Sequence, residues 1–171
     1  MDLAAQVGRL ASAHATRVVV ANVPDIGLTP LAARYPQFAP AFRSMTVLFN
    51  NTLSTELTRQ VQKPQRLVVV DSYRWMQDVF NQAGANGFTV ANAGVACDSD
   101  RIRQRAFDLH LPDPARFIEE NGASLLCSAS TLVTPNADQT YMFADELHPS
   151  TRLHELYARF MEAEIDRTVA N

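Results

Sequence analysis

Short apolar runs and helix-spaced apolar residues alternate along the first half of the chain. Residues 2–14 carry apolar side chains at helical spacing, namely Leu3, Val7 and Leu10. Two β-branched runs, at residues 17–23 and 66–70, have the length and composition of buried strands. The pattern therefore predicts a helix, then a strand, and a second strand about 45 residues further along the chain.

Two more helices complete the pattern of the first half. A long amphipathic helix is predicted from about Pro36 to about Gln62, ending before Pro64. Its apolar positions predict a stripe in the core: Phe38, Phe42, Met45, Phe49, Leu53, Leu57 and Val61. Another helix, from Ser72 to about Ala83, follows the second strand. Helices that alternate with strands are typical of a parallel sheet, so the fold class predicted is α/β.

The second half is less regular until its last helix. Glycines and prolines in residues 84–114 predict loops around a short strand or helix. A short helix to about Asn121 and a strand-like segment at residues 139–143 are expected next. The final helix starts after Pro149, where Ser150 or Thr151 can cap it, and its apolar face extends to about Val169.

Composition narrows the classes of partner. The 171 residues are 47% hydrophobic, which is enough for one domain with a core. A formal net charge of −3 without a cluster of Lys and Arg argues against nucleic acid or an anionic membrane as the main partner. No segment has the apolar length of a membrane span, and the first residues do not read as an export signal. A small neutral or apolar ligand is the expected partner.

Cys97 and Cys127 are the two cysteines of the chain, and both lie in polar, loop-like sequence. An even number of cysteines permits a disulfide, whereas two free thiols fit the lack of an export signal. The residues themselves leave both alternatives open. No Cys-x-x-Cys redox motif is present.

The stretch before the last helix sets Asp145 three residues ahead of His148. An Asp that accepts a hydrogen bond from one ring nitrogen of His leaves the other nitrogen free to take a proton from a serine hydroxyl. Asp-x-x-His by itself is also the spacing of a capped helix start with a surface histidine. The pair is thus two thirds of a catalytic triad, and its serine has to be sought elsewhere.

Internal candidates for the nucleophile are weak. Ser72 follows a predicted strand and opens a helix, but no glycine precedes Asp71 to permit a sharp turn. The sequence around Ser124 lacks the second glycine of a Gly-x-Ser-x-Gly turn. No metal site is predicted, because His148 and His154 are six residues apart, and no cofactor is expected. Asn22 and Asn92, at strand ends, are candidates either for lining a cleft or for ordinary turns.

Residues 139–151, with the run Tyr-Met-Phe-Ala-Asp-Glu-Leu-His-Pro-Ser-Thr, resemble the last motif block of the SGNH (GDSL-type) esterases and lipases. Four further segments occur in the order typical of that family: Asn22–Pro30, Phe49–Leu53, Val70–Tyr73 and Gly87–Asn92. The resemblance extends from about Arg17 to the end of the chain. It is strongest to the secreted bacterial branch, which includes autotransporter esterases and phospholipase/haemolysin-like enzymes.

This resemblance implies a three-layer α/β/α sandwich with a parallel sheet. Residues 1–171 would form the C-terminal part of a single SGNH hydrolase domain whose N-terminal portion, with the Gly-Asp-Ser block, is missing from this sequence. In the secreted branch a cysteine pair at such positions forms a disulfide, here Cys97 with Cys127. The implied location of the full-length protein is secreted, at the cell surface or at the outer membrane.

The resemblance also implies an activity. His148 would be the general base and Asp145 would orient its imidazole, in a carboxylic ester hydrolase that acts on a small ester or lipid. The serine would come from the missing half, so the isolated chain is expected to be inactive and to associate with that half or with itself. The alternative function is a non-catalytic remnant or a binding module without the nucleophile.

Overall fold

The computed structural model describes residues 2–62 and 66–169. In chain order the helices and strands are α1 (Asp2–Ser12), β1 (Val18–Ala21), α2 (Pro30–Arg34), α3 (Ala39–Gln60), β2 (Leu67–Val70), α4 (Ser72–Asn81), α5 (Ser99–Asp108), α6 (Pro114–Asn121), α7 (Ala137–Thr140) and α8 (Thr151–Val169). The proline expected just beyond the long helix, Pro64, lies outside the described residues. No helix among the described residues combines the length and hydrophobicity required to cross a bilayer.

The two predicted strands pair in parallel. Val18 lies opposite Leu67 and Ala21 opposite Val70, and α3 makes the crossover between the strands. The mixed α/β class with a parallel pair is therefore confirmed, as a two-stranded sheet within the described residues. A parallel pair requires a long crossover because both strands run in the same direction.

Polar side chains fix where several helices begin. The Asp71 carboxylate accepts a hydrogen bond from the N–H of Arg74 at the start of α4, and Asp98 accepts from Asp100 and Arg101 at the start of α5. At α8 the Ser150 hydroxyl accepts from the N–H of Leu153, so Ser150 is the cap of the last helix. These bonds satisfy N–H groups that have no partner inside the helix.

Two apolar clusters pack the helices, and the first of them includes the sheet. On one side, α1 and the C-terminal half of α3 pack against β1, with Ala4, Val7, Ala11, Val20, Leu53, Leu57 and Val61 buried together. A β-carbon at Gly8 would lie 2.7 Å from the Gln60 carbonyl oxygen, so glycine allows α1 to approach α3 closely. The second cluster joins α4 and α8 to the segment that precedes the Asp145 loop: Met76, Val79, Phe88, Met142, Phe143 and Leu153.

The strand predicted at residues 139–143 is wrong. Residues 137–140 form the short helix α7 after Asn136, whose φ of 62° turns the chain. Within residues 139–143, Tyr141 makes an isolated bridge with Val90 and Phe143 makes one with Pro149. Phe143 is buried and Tyr141 is half-buried, but each makes only a single bridge among the described residues, so no continuous ladder forms.

The apolar stripe of α3 is only half buried, which corrects the prediction that all of it lies in the core. Leu53 and Leu57 are buried under α1, whereas Phe38 and Met45 are 52% and 67% exposed. Leu48 and Phe49 are exposed beside them, at 68% and 40%. Periodicity shows which face of a helix is apolar, but the length of the helix that covers it decides how much is buried. Phe38, Met45, Leu48 and Phe49 form what we call the exposed stripe.

Replacing Met45 and Leu48 by lysine should reduce self-association of the chain. Contiguous exposed apolar side chains favour association, and two charges at the centre of the exposed stripe oppose the burial of these side chains. Sedimentation velocity over a range of concentrations measures the effect. Asn51→Lys/Ser54→Lys is the control, because it adds the same charge at exposed polar positions of α3 that are not part of the exposed stripe. A wild-type chain that is monomeric at all concentrations would contradict the prediction.

Candidate active site

Asp145 and His148 lie in a tight loop between the second apolar cluster and α8. The loop is closed by two backbone hydrogen bonds, from the N–H of Ala144 to the carbonyl of His148 (2.8 Å) and from the N–H of Ser150 to the carbonyl of Met142 (2.9 Å). One end is anchored by buried residues and the other by the first turn of α8. The sequence therefore positions both side chains through short-range structure.

The two side chains form a hydrogen-bonded pair. Nδ1 of His148 lies 2.9 Å from both carboxylate oxygens of Asp145. An ionised carboxylate only accepts, so Nδ1 carries the proton and Nε2 of the neutral imidazole presents its lone pair. Asp145 is 8% exposed, whereas the side chain of His148 is 50% exposed. The buried carboxylate of Asp145 thus orients the solvent-accessible imidazole of His148.

The Asp145 carboxylate is held ionised by its hydrogen bonds. Burial acts to raise its pKa, but backbone N–H groups of His148, Leu147 and Ser124, together with the His148 side chain, donate to it. These bonds outweigh burial, and the pKa of Asp145 is lowered below the ordinary aspartate value. A carboxylate that resists protonation is suited to stabilising an imidazolium rather than to accepting its proton.

Asp145 should make stability depend on pH in a defined direction. Its pKa is lower in the folded state than in the unfolded state, so its contribution is present above about pH 3.9 and is lost as pH falls through the folded value. Urea unfolding of wild type and Asp145→Asn from about pH 6 to about pH 2 measures this. The advantage of wild type over the variant should shrink towards acid. Parallel curves would contradict the assignment.

Gly122 and Ser124 also belong to the site, although the sequence indicated neither role. The N–H of Ser124 donates to Oδ2 of Asp145 at 2.9 Å. Gly122 has a φ of 82°, and a β-carbon there would lie 2.9 Å from Cε1 of His148 and 3.1 Å from Oδ2 of Asp145. Glycine is thus required both by the backbone and by the contact with the pair. The only sequence signal was a glycine just after a predicted helix, which marks a helix end but not what it faces.

Two cavities meet at His148. One of about 390 Å³ is bordered by the Cys97–Cys127 disulfide and by His154. The other, of about 970 Å³, extends past Asn92 towards α2. Both volumes are in the range of small-molecule sites, and His148 lines each of them. A ligand in either cavity can contact the imidazole.

Ser72 is not brought to His148. It is buried at the start of α4, where its Oγ lies 2.6 Å from the hydroxyl of Tyr157 on α8. This bond joins two helices and satisfies a buried hydroxyl. The structure therefore gives Ser72 a packing role at the position where sequence alone allowed a nucleophile.

The other polar candidates separate into different roles. Asn92 lines the larger cavity, whereas Asn22 joins β1 to α4 by bonding the Asp71 carboxylate and the N–H of Tyr73. His154 lines the smaller cavity, and its Nδ1 lies 3.1 Å from the Ser150 carbonyl. Within residues 2–62 and 66–169, no group of three or more His, Cys, Asp or Glu side chains could hold a metal ion.

Cys97 and Cys127 form a disulfide with their Cα atoms 5.8 Å apart. Cys97 is buried, and its N–H donates to the carbonyl of Ala144, the residue before Asp145. The crosslink therefore reaches the loop that carries the candidate pair.

Comparison with known proteins gives no independent assignment. No family model matches the chain, and no curated protein matches it. The SGNH resemblance accordingly rests on the motifs of the sequence, and the activity that it implies is a proposal.

Proposed function

We propose that His148 is the general base of a Ser-His-Asp carboxylic ester hydrolase of the SGNH type and that Asp145 is the carboxylate that orients its imidazole. The observation that carries the proposal is the buried Asp145 carboxylate bonded to Nδ1 of a half-exposed His148. Its serine belongs to polypeptide outside these 171 residues. The motif order from Asn22 to Thr151 supports the family, and the geometry of the pair supports the roles.

In this mechanism Nε2 of His148 removes the proton from the serine hydroxyl as its oxygen attacks the ester carbonyl. Asp145 stays ionised, in agreement with its lowered pKa, and stabilises the imidazolium. The imidazolium then protonates the leaving alcohol. Water is activated by the same nitrogen to release the acid from the acyl-serine. Each proton transfer uses Nε2, the nitrogen that the Asp145 bond leaves available.

We also propose a three-layer α/β/α sandwich and a secreted or cell-surface location. The exposed stripe of α3 and the exposed side chains of Val19 and Val69 on the sheet give an N-terminal portion apolar surface on which to complete a three-layer sandwich. The Cys97–Cys127 disulfide supports an oxidising compartment, hence a secreted or cell-surface protein. The substrate class is a small uncharged ester or a lipid.

Fluorophosphonate labelling tests the function, because the probe modifies serines activated by a nearby base. The probe is applied to the purified chain and to the protein that an antibody to this chain recovers from its source cells. The source cells express the wild-type sequence, His148→Ala or His154→Ala. We expect a serine adduct outside residues 1–171 that is lost in His148→Ala and retained in His154→Ala. His154 is a matched control because it lies near the pair but bonds a backbone carbonyl.

Two results would overturn the proposal. An adduct on Ser72 or another serine of the chain that depends on His148 would place the whole triad within these residues. The absence of any His148-dependent adduct in folded protein would favour the non-catalytic alternative, a remnant or binding module that retains the pair without a nucleophile.

A further inference from the structure

We propose that the Cys97–Cys127 disulfide and the segment from Gly122 to Cys127 position the Asp145–His148 pair, so that the pair keeps its geometry only while the disulfide is intact. The catalytic importance of this inference rests on the proposed function. The hydrogen bond between His148 and Asp145 can be measured without any catalytic turnover.

The first half of the connection runs from Cys127 to the carboxylate. The N–H of Cys127 donates to the carbonyl of Ser124 at 3.0 Å, which closes a short helical turn. At the other end of this turn the N–H of Ser124 donates to Oδ2 of Asp145 at 2.9 Å. The position of Cys127 thus determines where one of the carboxylate's hydrogen-bond donors lies.

The second half runs from Cys97 to the same carboxylate along the backbone. The N–H of Cys97 donates to the carbonyl of Ala144 at 3.0 Å, and the N–H of Ala96 donates to that of Phe143 at 2.9 Å. These bonds fix the main chain just before Asp145. The disulfide therefore closes a ring of contacts that leads from Cys97 through Ala144 and Asp145 to Ser124 and back to Cys127.

Gly122 adds a steric constraint to this ring. Its α-carbon faces the Nδ1–Cε1 edge of His148, with room for hydrogen but not for a β-carbon. Its N–H is bonded to the carbonyl of Ile118 at the end of α6. The segment consequently limits the imidazole on one side while it donates to the carboxylate on the other.

Reduction is expected to release the segment. A dithiol such as dithiothreitol supplies two electrons and two protons, the S–S bond breaks to give two thiols, and the reagent closes to its own cyclic disulfide. Ser124 is then held only by non-covalent packing, in which Leu126 of the same turn is buried with Ile102 and Ala106. Its N–H is no longer fixed opposite Oδ2, and the partners that orient the histidine are weakened.

The test follows the proton on Nδ1 of His148 by nitrogen-15 imidazole spectra, because ring nitrogen shifts distinguish the two neutral tautomers. A second readout is alkylation by phenacyl bromide with peptide mapping. We expect an intact pair to react at Nε2 alone and a released one to react at both nitrogens. Samples are the oxidised chain, the reduced chain and Cys97→Ala/Cys127→Ser. Backbone amide signals of β1 and β2 report whether the fold persists.

Gly122→Ala and Gly87→Ala form a matched pair that retains the disulfide. Both glycines have positive φ, 82° and 90°, but a β-carbon at Gly87 has no atom within 4 Å. Alanine at either position strains the backbone, and only at Gly122 does it meet the pair. Loss of the Nδ1–H signature in Gly122→Ala and in the reduced chain, with retention in Gly87→Ala, is the expected result.

The inference is overturned if folded, reduced protein keeps the Nδ1–H tautomer and the Nε2 selectivity. It is equally overturned if Gly122→Ala behaves like Gly87→Ala. This comparison remains informative even if reduction unfolds the chain, because both variants retain the disulfide. The fluorophosphonate experiment fails independently of this one. If the histidine is positioned but no serine reacts with the probe, the proposed ester hydrolase is contradicted. If a serine reacts but the histidine is unchanged after reduction, only the positioning by the disulfide is contradicted.

Discussion

Asp145→Asn should lower kcat for ester hydrolysis by about 10⁴-fold in the protein that carries the serine. The carboxylate accepts four hydrogen bonds, from three backbone N–H groups and from Nδ1 of His148. An amide of the same shape has one oxygen and one NH₂ group, which cannot accept. If the NH₂ group takes the position of Oδ2, it faces the N–H of Ser124 with a donor, and if it takes the position of Oδ1, it faces the N–H groups of Leu147 and His148 with a donor. Because Nδ1 of His148 lies 2.9 Å from both positions, the NH₂ group faces Nδ1 in either orientation.

A donor facing Nδ1 favours the tautomer in which Nε2 carries the proton, and that nitrogen can no longer act as the base. Steady-state rates with a chromogenic short-chain ester measure the loss, and imidazole nitrogen spectra of the 171-residue chain show the change of tautomer. Asp108→Asn is the control, because Asp108 lies at the end of α5 and bonds Gln104. An Asp145→Asn enzyme within ten-fold of wild type would exclude the proposed role.

Cys97→Ala/Cys127→Ser should lower the free energy of unfolding by roughly 3–4 kcal/mol. The crosslink joins residues 30 apart in sequence and so restricts the unfolded chain. Urea unfolding at neutral pH measures the change, with the slope compared between proteins to detect a different unfolded state. Wild type in dithiothreitol should approach the variant. A loss below about 1 kcal/mol would show that chain entropy is not the main effect.

The sequence predicted the elements whose signals are local. The β-branched runs became β1 and β2 in parallel, and the long helix, α4 and α8 formed close to the expected bounds because their periodicity spans many residues. The exposed stripe was not foreseen, since the pattern of α3 contains no information on where α1 ends. The wider three-layer sandwich depends on strand pairing beyond the two described strands and was carried only by the resemblance.

In the candidate site, too, the local contacts could be predicted from the sequence and the long-range contacts could not. Asp145 and His148 are three residues apart, so their pairing could be predicted from a short motif. Gly122 and Ser124 act on the pair from more than 20 residues away, and their roles depend on tertiary packing. Ser72 shows the opposite case, because its position after a strand suggested chemistry while Tyr157, far along the chain, supplies its actual partner.

The Asp145 loop also accepts contacts from much earlier in the chain. The N–H of Leu31 donates to the carbonyl of Glu146 at 3.0 Å, and Arg34 forms an ion pair with the Glu146 side chain, 112 residues away. Contacts this distant in sequence close long loops and form late in folding. The wall that α2 contributes to the larger cavity is therefore expected to form late in folding, when Leu31 and Arg34 reach Glu146.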